Sequence, residues 1–147
     1  MFTIFSSPST IMARRAAYTA AILMAVYAVF QLYWAAGGSW GLNAVWGGEY
    51  DDLPANLRAA SVVSAVIFIL GAFIVRGRAG YRVPSIFPIS VLRWGIWVIV
   101  AVSGLSTLAN LASSSNWERF LNAPVALLMA LLCLVVARSP RPWDTDQ

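Results

Sequence analysis

Four stretches of this chain, residues 16–36, 59–75, 94–111 and 120–137, carry no charged residue. A membrane-crossing helix needs about 20 mainly apolar residues, with a working range of about 17–25. Inside lipid the backbone must satisfy its own polar groups, so isolated stretches of this length are read as helices. Composition agrees, with 60 % of residues hydrophobic and 11 % charged, against about 25 % charged in a soluble domain. Too little polar surface remains to cover a water-soluble globule. The expected fold is therefore all-α, a four-transmembrane-helix bundle over residues 14–138. A short segment (1–13) precedes it and a tail (139–147) follows. The first span is too long for a signal-peptide core and lacks a cleavage site, so it is expected to stay. Arg14-Arg15 resembles a twin-arginine signal only superficially, and Met12 is an alternative start.

Arginine placement orients the spans. Arg14, Arg15, Arg76, Arg78, Arg82, Arg93, Arg138 and Arg141 fall on one side, and only Arg58 and Arg119 on the other. Cytoplasmic loops are enriched in Lys and Arg, which predicts cytoplasmic termini and a cytoplasmic "RGRAGYR" loop. Arg93, near the start of the third span, is close enough to snorkel to the headgroups. All ten basic residues are arginine, and with the many alanines this fits a GC-rich bacterial genome. The expected location is the bacterial cytoplasmic membrane.

Missing residues exclude chemistry. The chain has no histidine and one cysteine, Cys133. A zinc site, Ser–His or Cys–His catalysis and a two-cysteine relay are therefore not expected, and no metal or cofactor is. Cys133 reads as a small apolar packing residue. No basic stripe interleaved with aromatics points to nucleic acid. No acid lies within a span, which argues against a proton-driven pump or a through-channel. The membrane-embedded glutamate of four-span multidrug exporters has no counterpart.

The first external loop, residues 37–57, concentrates what the spans lack. "YWAAGGSWGLNAVWGGEYDDLP" holds Trp34, Trp40 and Trp46, glycines at 37, 38, 41, 47 and 48, and the acids Glu49, Asp51 and Asp52. The second external loop, "SSSNWERF", adds Trp117, Glu118 and Arg119. One reading makes the tryptophans an interfacial aromatic belt. The other folds the glycine-rich loop back over a binding site, since positive φ costs glycine little. Arg58 or Arg119 paired with Glu118 or the Glu49–Asp52 acids would brace the loops.

Local signals mark the helix starts. Asp51-Asp52 before Pro54 predicts one, the carboxylates meeting the helix dipole. Ser115 and Glu118 form an S-x-x-E capping box, predicting a start near Asn116. Pro124 either kinks that helix, freeing the Phe120 carbonyl, or stands near the first position of the span after a short interfacial turn, residues 116–122. "AAGGSW" and "ASSSNW" occupy matching places, so the chain can be read as two parallel-repeat hairpins. Any two hairpins with arginine inside and tryptophan at the interface would look alike.

Polar residues within the spans favour the outer halves: Gln31, Ser61, Ser64, Ser103, Ser106, Thr107, Asn110 and Asn122. Ser103, Thr107 and Asn110 share a helix face, with Ala101 and Gly104 beside it to permit close approach. They read either as interhelical hydrogen-bonding or as a shallow polar cavity open to the outside beneath the Gly–Trp loop.

"YWAAGGSWGL" and "NWERFLNAPVALLMALL", in that order, resemble the bacterial membrane family designated domain of unknown function 3995, over about residues 14–137. The resemblance implies the four-span fold and topology and brings no activity with it. It implies histidine in many members where Gln31 stands, whereas the glutamine here cannot titrate.

The sequence therefore predicts a non-catalytic multi-pass protein whose outer face takes a membrane lipid, a small amphiphile or a partner protein, in a chain able to oligomerise. The candidate residues are Gln31, Tyr33, Trp34, Gly37, Gly38, Trp40, Gly41, Asn110, Trp117, Glu118 and Arg119. A small permease, or an enzyme subunit acting on lipids with Glu118 or Asp51 as base, are the alternatives.

Overall fold

The computed structural model describes residues 9–45 and 49–140. Trp46, Gly47, Gly48, Arg141 and the start at Met1 lie outside the described residues. Four helices run up and down: α1 (Thr10–Ala35), α2 (Ala55–Arg78), α3 (Ile89–Ala112) and α4 (Ala123–Arg138). All four segments are long and apolar enough to cross a membrane, α4 together with the turn before it. Among the described residues there is no strand. α1 lies against α2 and α4, and α3 against α4 and α2, so the helices close a ring in chain order. The 36–54 loop and the α3–α4 turn share one end, and the α2–α3 loop lies at the other.

α1, α2 and α3 begin before their apolar stretches, whereas α4 begins at Ala123, three residues after the stretch opens. Ser9 accepts from the Met12 amide at 3.3 Å, which starts α1 six residues before the predicted 16. Arg14 and Arg15 therefore lie on the helix and are tolerated at its end by their long stems. α1 stops at Gly37 (φ 94), where Gly38 N donates to the Tyr33 carbonyl at 2.9 Å and Gly37 N to that of Trp34 at 3.0 Å. These are the paired bonds of a Schellman stop. α2 ends likewise at Gly80 (φ 81), with Tyr81 N bonded to the Arg76 carbonyl at 3.0 Å and Gly80 N to that of Gly77 at 3.1 Å.

α2 starts where Asp51-Asp52 and Pro54 predict, but the acids play another part. Pro54 stands one position before the helix, and no acid enters the first turn. Asp52 instead pairs with Arg58 at 2.8 Å, while Arg58 Nε donates to the Leu53 carbonyl at 2.8 Å. A guanidinium one turn into the helix reaches back and takes the carboxylate that would otherwise meet the amides.

Before α4 the chain is already helical from Asn116, but residues Glu118–Asn122 form one π-turn. Ala123 N donates to the Glu118 carbonyl, five residues back. Pro124 has no N–H for the Phe120 carbonyl, and the extra residue in the turn absorbs that mismatch without breaking the helix. The capping box is half direct and half relayed. Glu118 N donates to Ser115 Oγ at 3.4 Å, whereas Ser115 N donates to Ser113 Oγ, which donates to Glu118 Oε2.

Two cores follow. At the arginine-rich end Ala16, Ala17, Ala20 and Met24 of α1 meet Val75, Ile96, Met129, Cys133 and Val136. Alanines on α1 let the neighbouring backbones close in, and in lipid such packing holds helices together. Gly104 does not serve this purpose, since a methyl there would meet nothing within 4 Å. Gly77 does, lying against Leu92. Arg78 also departs from the expected solvated loop. It is 3 % exposed, and its Nη2 donates to the carbonyls of Ala137 (3.1 Å) and Ser139 (2.9 Å), capping α4 from α2. The second core, at the other end, builds the candidate site.

Candidate functional site

Trp34 organises the loop above α1. Only 4 % of it is exposed, and it packs with Leu42 and Leu53 under the chain. Its indole Nε1 donates to the Trp40 carbonyl at 2.9 Å, which turns the loop back over the helix that carries it. Gly41 (φ 80) then opens a short 3-10 turn, Leu42–Ala44. Trp34 thus belongs to a core and not to an aromatic belt. Its last polar group needs a partner when buried, and the folded loop supplies one.

Tyr33 and Gly38 fit each other so closely that a methyl on Gly38 would lie 2.2 Å from the ring. Tyr33 Oη accepts from Trp40 N at 3.4 Å. Gly37 lies beneath Arg58, with a methyl there 3.1 Å from Nη1. Tyr33, Gly37 and Gly38 therefore shape the roof and do not line the cleft beneath it.

Beneath this roof, α1 and α4 part to leave a cleft of about 600 Å³. Leu23, Val26, Tyr27 and Phe30 form one wall, Leu121, Asn122 and Val125 the other, and Trp40, Gly41, Ala44 and Val45 the cover. Trp40 and Trp117 stand at its mouth, 69 % and 54 % exposed. Phe30 stacks on both Trp34 and Trp40, with centroids 5.7 Å away in each case. The volume lies within the range of small-molecule sites, about 300–1,000 Å³.

The few polar groups of the cleft are spent on each other. Tyr27 Oη donates to Asn122 Oδ1 at 3.4 Å, and Asn122 Nδ2 donates to the Ala44 carbonyl at 2.6 Å. This chain links α1, α4 and the roof, and leaves the remaining wall apolar. Such a space suits a hydrocarbon chain.

The predicted site divides accordingly. Trp34, Trp40, Gly41 and Trp117 come together on the cleft. Glu118 and Arg119 do not line it. Glu118 accepts from Ser113, and Arg119 Nη2 donates to the Ser113 carbonyl at 2.7 Å, so both order the α3–α4 turn. Of the expected pairings between an arginine and the outer acids, Arg58–Asp52 forms, at 2.8 Å, within the first loop and the start of α2.

The polar face of α3 does not line this cleft, and two of its side chains bond within the helix. Thr107 donates to the Ser103 carbonyl at 2.9 Å and Asn110 to the Ser106 carbonyl at 2.7 Å, each on its own helix. Short polar side chains in a dry helix find the carbonyl one turn back before they find a neighbour. Gln31 sits on α1 with Oε1 buried and without a hydrogen-bond partner, as does Ser61 Oγ on α2. Sequence reasoning missed Tyr27, Phe30 and Ala44 as site residues and did not single out Asn122. The usable signals were the lone amide in an apolar fourth span and the aromatic pair Phe30–Trp34 one turn apart.

Family models, curated proteins and solved structures all lack a match to this chain, so its role has to be argued from the cleft itself.

Proposed function

We propose that this chain is a non-catalytic multi-pass protein of the bacterial cytoplasmic membrane that holds the hydrocarbon chain of a lipid or small amphiphile in the α1–α4 cleft. The observation that carries this reading is a cleft of about 600 Å³ whose polar groups are mutually bonded, with two exposed tryptophans at its mouth. The acyl chain lies between α1 and α4, and the headgroup rests at Trp40 and Trp117, where indole rings favour the membrane interface. Both termini and the arginine-rich end face the cytoplasm, so the roof is extracytoplasmic.

Native mass spectrometry of protein released from its own membrane tests this. A co-purifying lipid or amphiphile in wild type, lost in Trp40→Ala and in the cleft-filling Val26→Trp, is the expected result. Protein free of any bound molecule, or a bound molecule retained by both variants, would sink the reading.

A second reading, a small permease component, is favoured by one observation: Gln31 Oε1 and Ser61 Oγ are buried without partners. Buried polar atoms are nearly always satisfied, so water or a polar solute reaching them would supply the missing partners. Its test is solute uptake into vesicles, where rates equal with and without protein count against it.

A further inference from the structure

We propose a second lipid site at the opposite end of the bundle, a furrow between α1 and α2 that binds an anionic phospholipid by its phosphate and one acyl chain. The glycine stop at Gly80 turns the chain back so that Tyr81 lies under the end of α2. Two guanidiniums sit over that one ring, Arg14 at 4.5 Å and Arg76 at 5.5 Å from its centroid. Tyr81 Oη also donates to the Arg14 carbonyl at 3.3 Å, fixing the ring between the two helices. Neither Arg14 nor Arg76 pairs with a carboxylate among the described residues. Both guanidinium carbons lie within 5.5 Å of one ring centroid, so they are no more than about 10 Å apart, and an anion held between these two long, exposed side chains is attracted by both. Arginine suits it, since its fork matches phosphate oxygens and its stacking on an aromatic face holds the fork in place.

The second observation is independent of the charges. A furrow of about 350 Å³ starts at Arg76 and runs along the outside of α1 and α2 between Tyr18 and Phe73. Its bed is small side chains, Ala21, Ala25 and Ala72. An apolar groove leading directly away from a phosphate-binding pair fits a headgroup with its chain, and a free phosphate would leave the groove unused. This site shares no residue with the α1–α4 cleft and stands whether or not that cleft binds anything.

The test uses the full chain in nanodiscs of phosphatidylcholine with a minor share of phosphatidylglycerol, counting retained lipid by native mass spectrometry. Wild type is expected to retain phosphatidylglycerol selectively. Arg14→Gln with Arg76→Gln should lower that retention on the order of 100-fold, taking about 1.5 kcal/mol for each charge-assisted contact to the phosphate that is lost. Ala25→Phe, at an exposed position, fills the furrow without touching the charges and should lower it as well. Ala72→Leu is the second filling variant should Ala25→Phe misfold. The control Arg15→Gln with Arg82→Gln removes the same charge elsewhere and should leave retention unchanged. Equal loss in the control would reduce the effect to general surface charge and overturn the site. Retention that survives furrow filling but is displaced by inorganic phosphate would overturn the lipid assignment.

Discussion

The side-chain amide of Asn122 donates to the main-chain carbonyl of Ala44 at 2.6 Å, joining residues 78 positions apart in the chain. Asn122 ends the π-turn, Ala44 ends the 3-10 turn of the roof, and Tyr27 binds the other atom of the same amide. One side chain thus sets how far the roof stands from α4, and so the width of the cleft.

Asn122→Leu should therefore cost about 1–3 kcal/mol, because it strands a carbonyl that had a donor. It should also release a molecule bound in the cleft while leaving the helices intact. Thermal unfolding in detergent and native mass spectrometry read the two effects. Unchanged stability would show that the Ala44 carbonyl finds water instead.

Gly38 and Tyr33 are coupled by contact. Gly38→Ala should destabilise by about 1–3 kcal/mol, the range for overpacking, since its methyl would overlap the Tyr33 ring. In a Tyr33→Ala background the same substitution should cost far less. A double-mutant cycle measures the difference, and strict additivity would refute the contact.

Arg78 caps α4 from α2 with one nitrogen on two carbonyls. Arg78→Met should cost about 3 kcal/mol or more, given about 1.5–3 kcal/mol for each hydrogen bond to a charged group. Arg78→Lys should recover only part, because an ammonium is a more strongly hydrated point charge and costs more to bury than a guanidinium. Hydrogen exchange at the last turn of α4 should accelerate in both. An effect spread evenly over all helices would argue for a global role instead.

Orientation is open to a direct test because Cys133 is buried and gives little background. Ser39→Cys in the roof and Ser85→Cys in the α2–α3 loop are both at exposed positions. A membrane-impermeant maleimide on intact cells should label the first and reach the second only after lysis. The reverse pattern would invert the topology.

The α2 start shows a local signal that is right in place, with α2 beginning at Ala55 directly after Pro54, and wrong in its contact. Asp51-Asp52 before Pro54 has the composition of a helix entry, yet Asp52 turns to Arg58. Competition between a full guanidinium and partial charges on helix amides is settled by which lies nearer, and spacing alone does not show that. Pro124 shows the opposite case. A helix disturbance near Phe120 was legible because proline lacks a donor wherever it stands. Its form, a π-turn that carries Asn122 onto the cleft, depended on the packing of α4 against α1 and the roof.

Sequence alone determined that the chain forms four helices long and apolar enough to cross a membrane, with tryptophan, glycine and acid gathered at one end. These follow from local quantities: run length without charge, missing donors, and glycine at positions of positive φ. Tertiary structure alone decided which of the gathered residues meet. Trp34 became core while Trp40 and Trp117 became a mouth, and Arg78 left the expected surface to cap a helix 59 residues away. The apolar character of the cleft was decided there too. Asn122 spends its amide on the Ala44 carbonyl and on Tyr27, because those are the partners that the fold brings within reach.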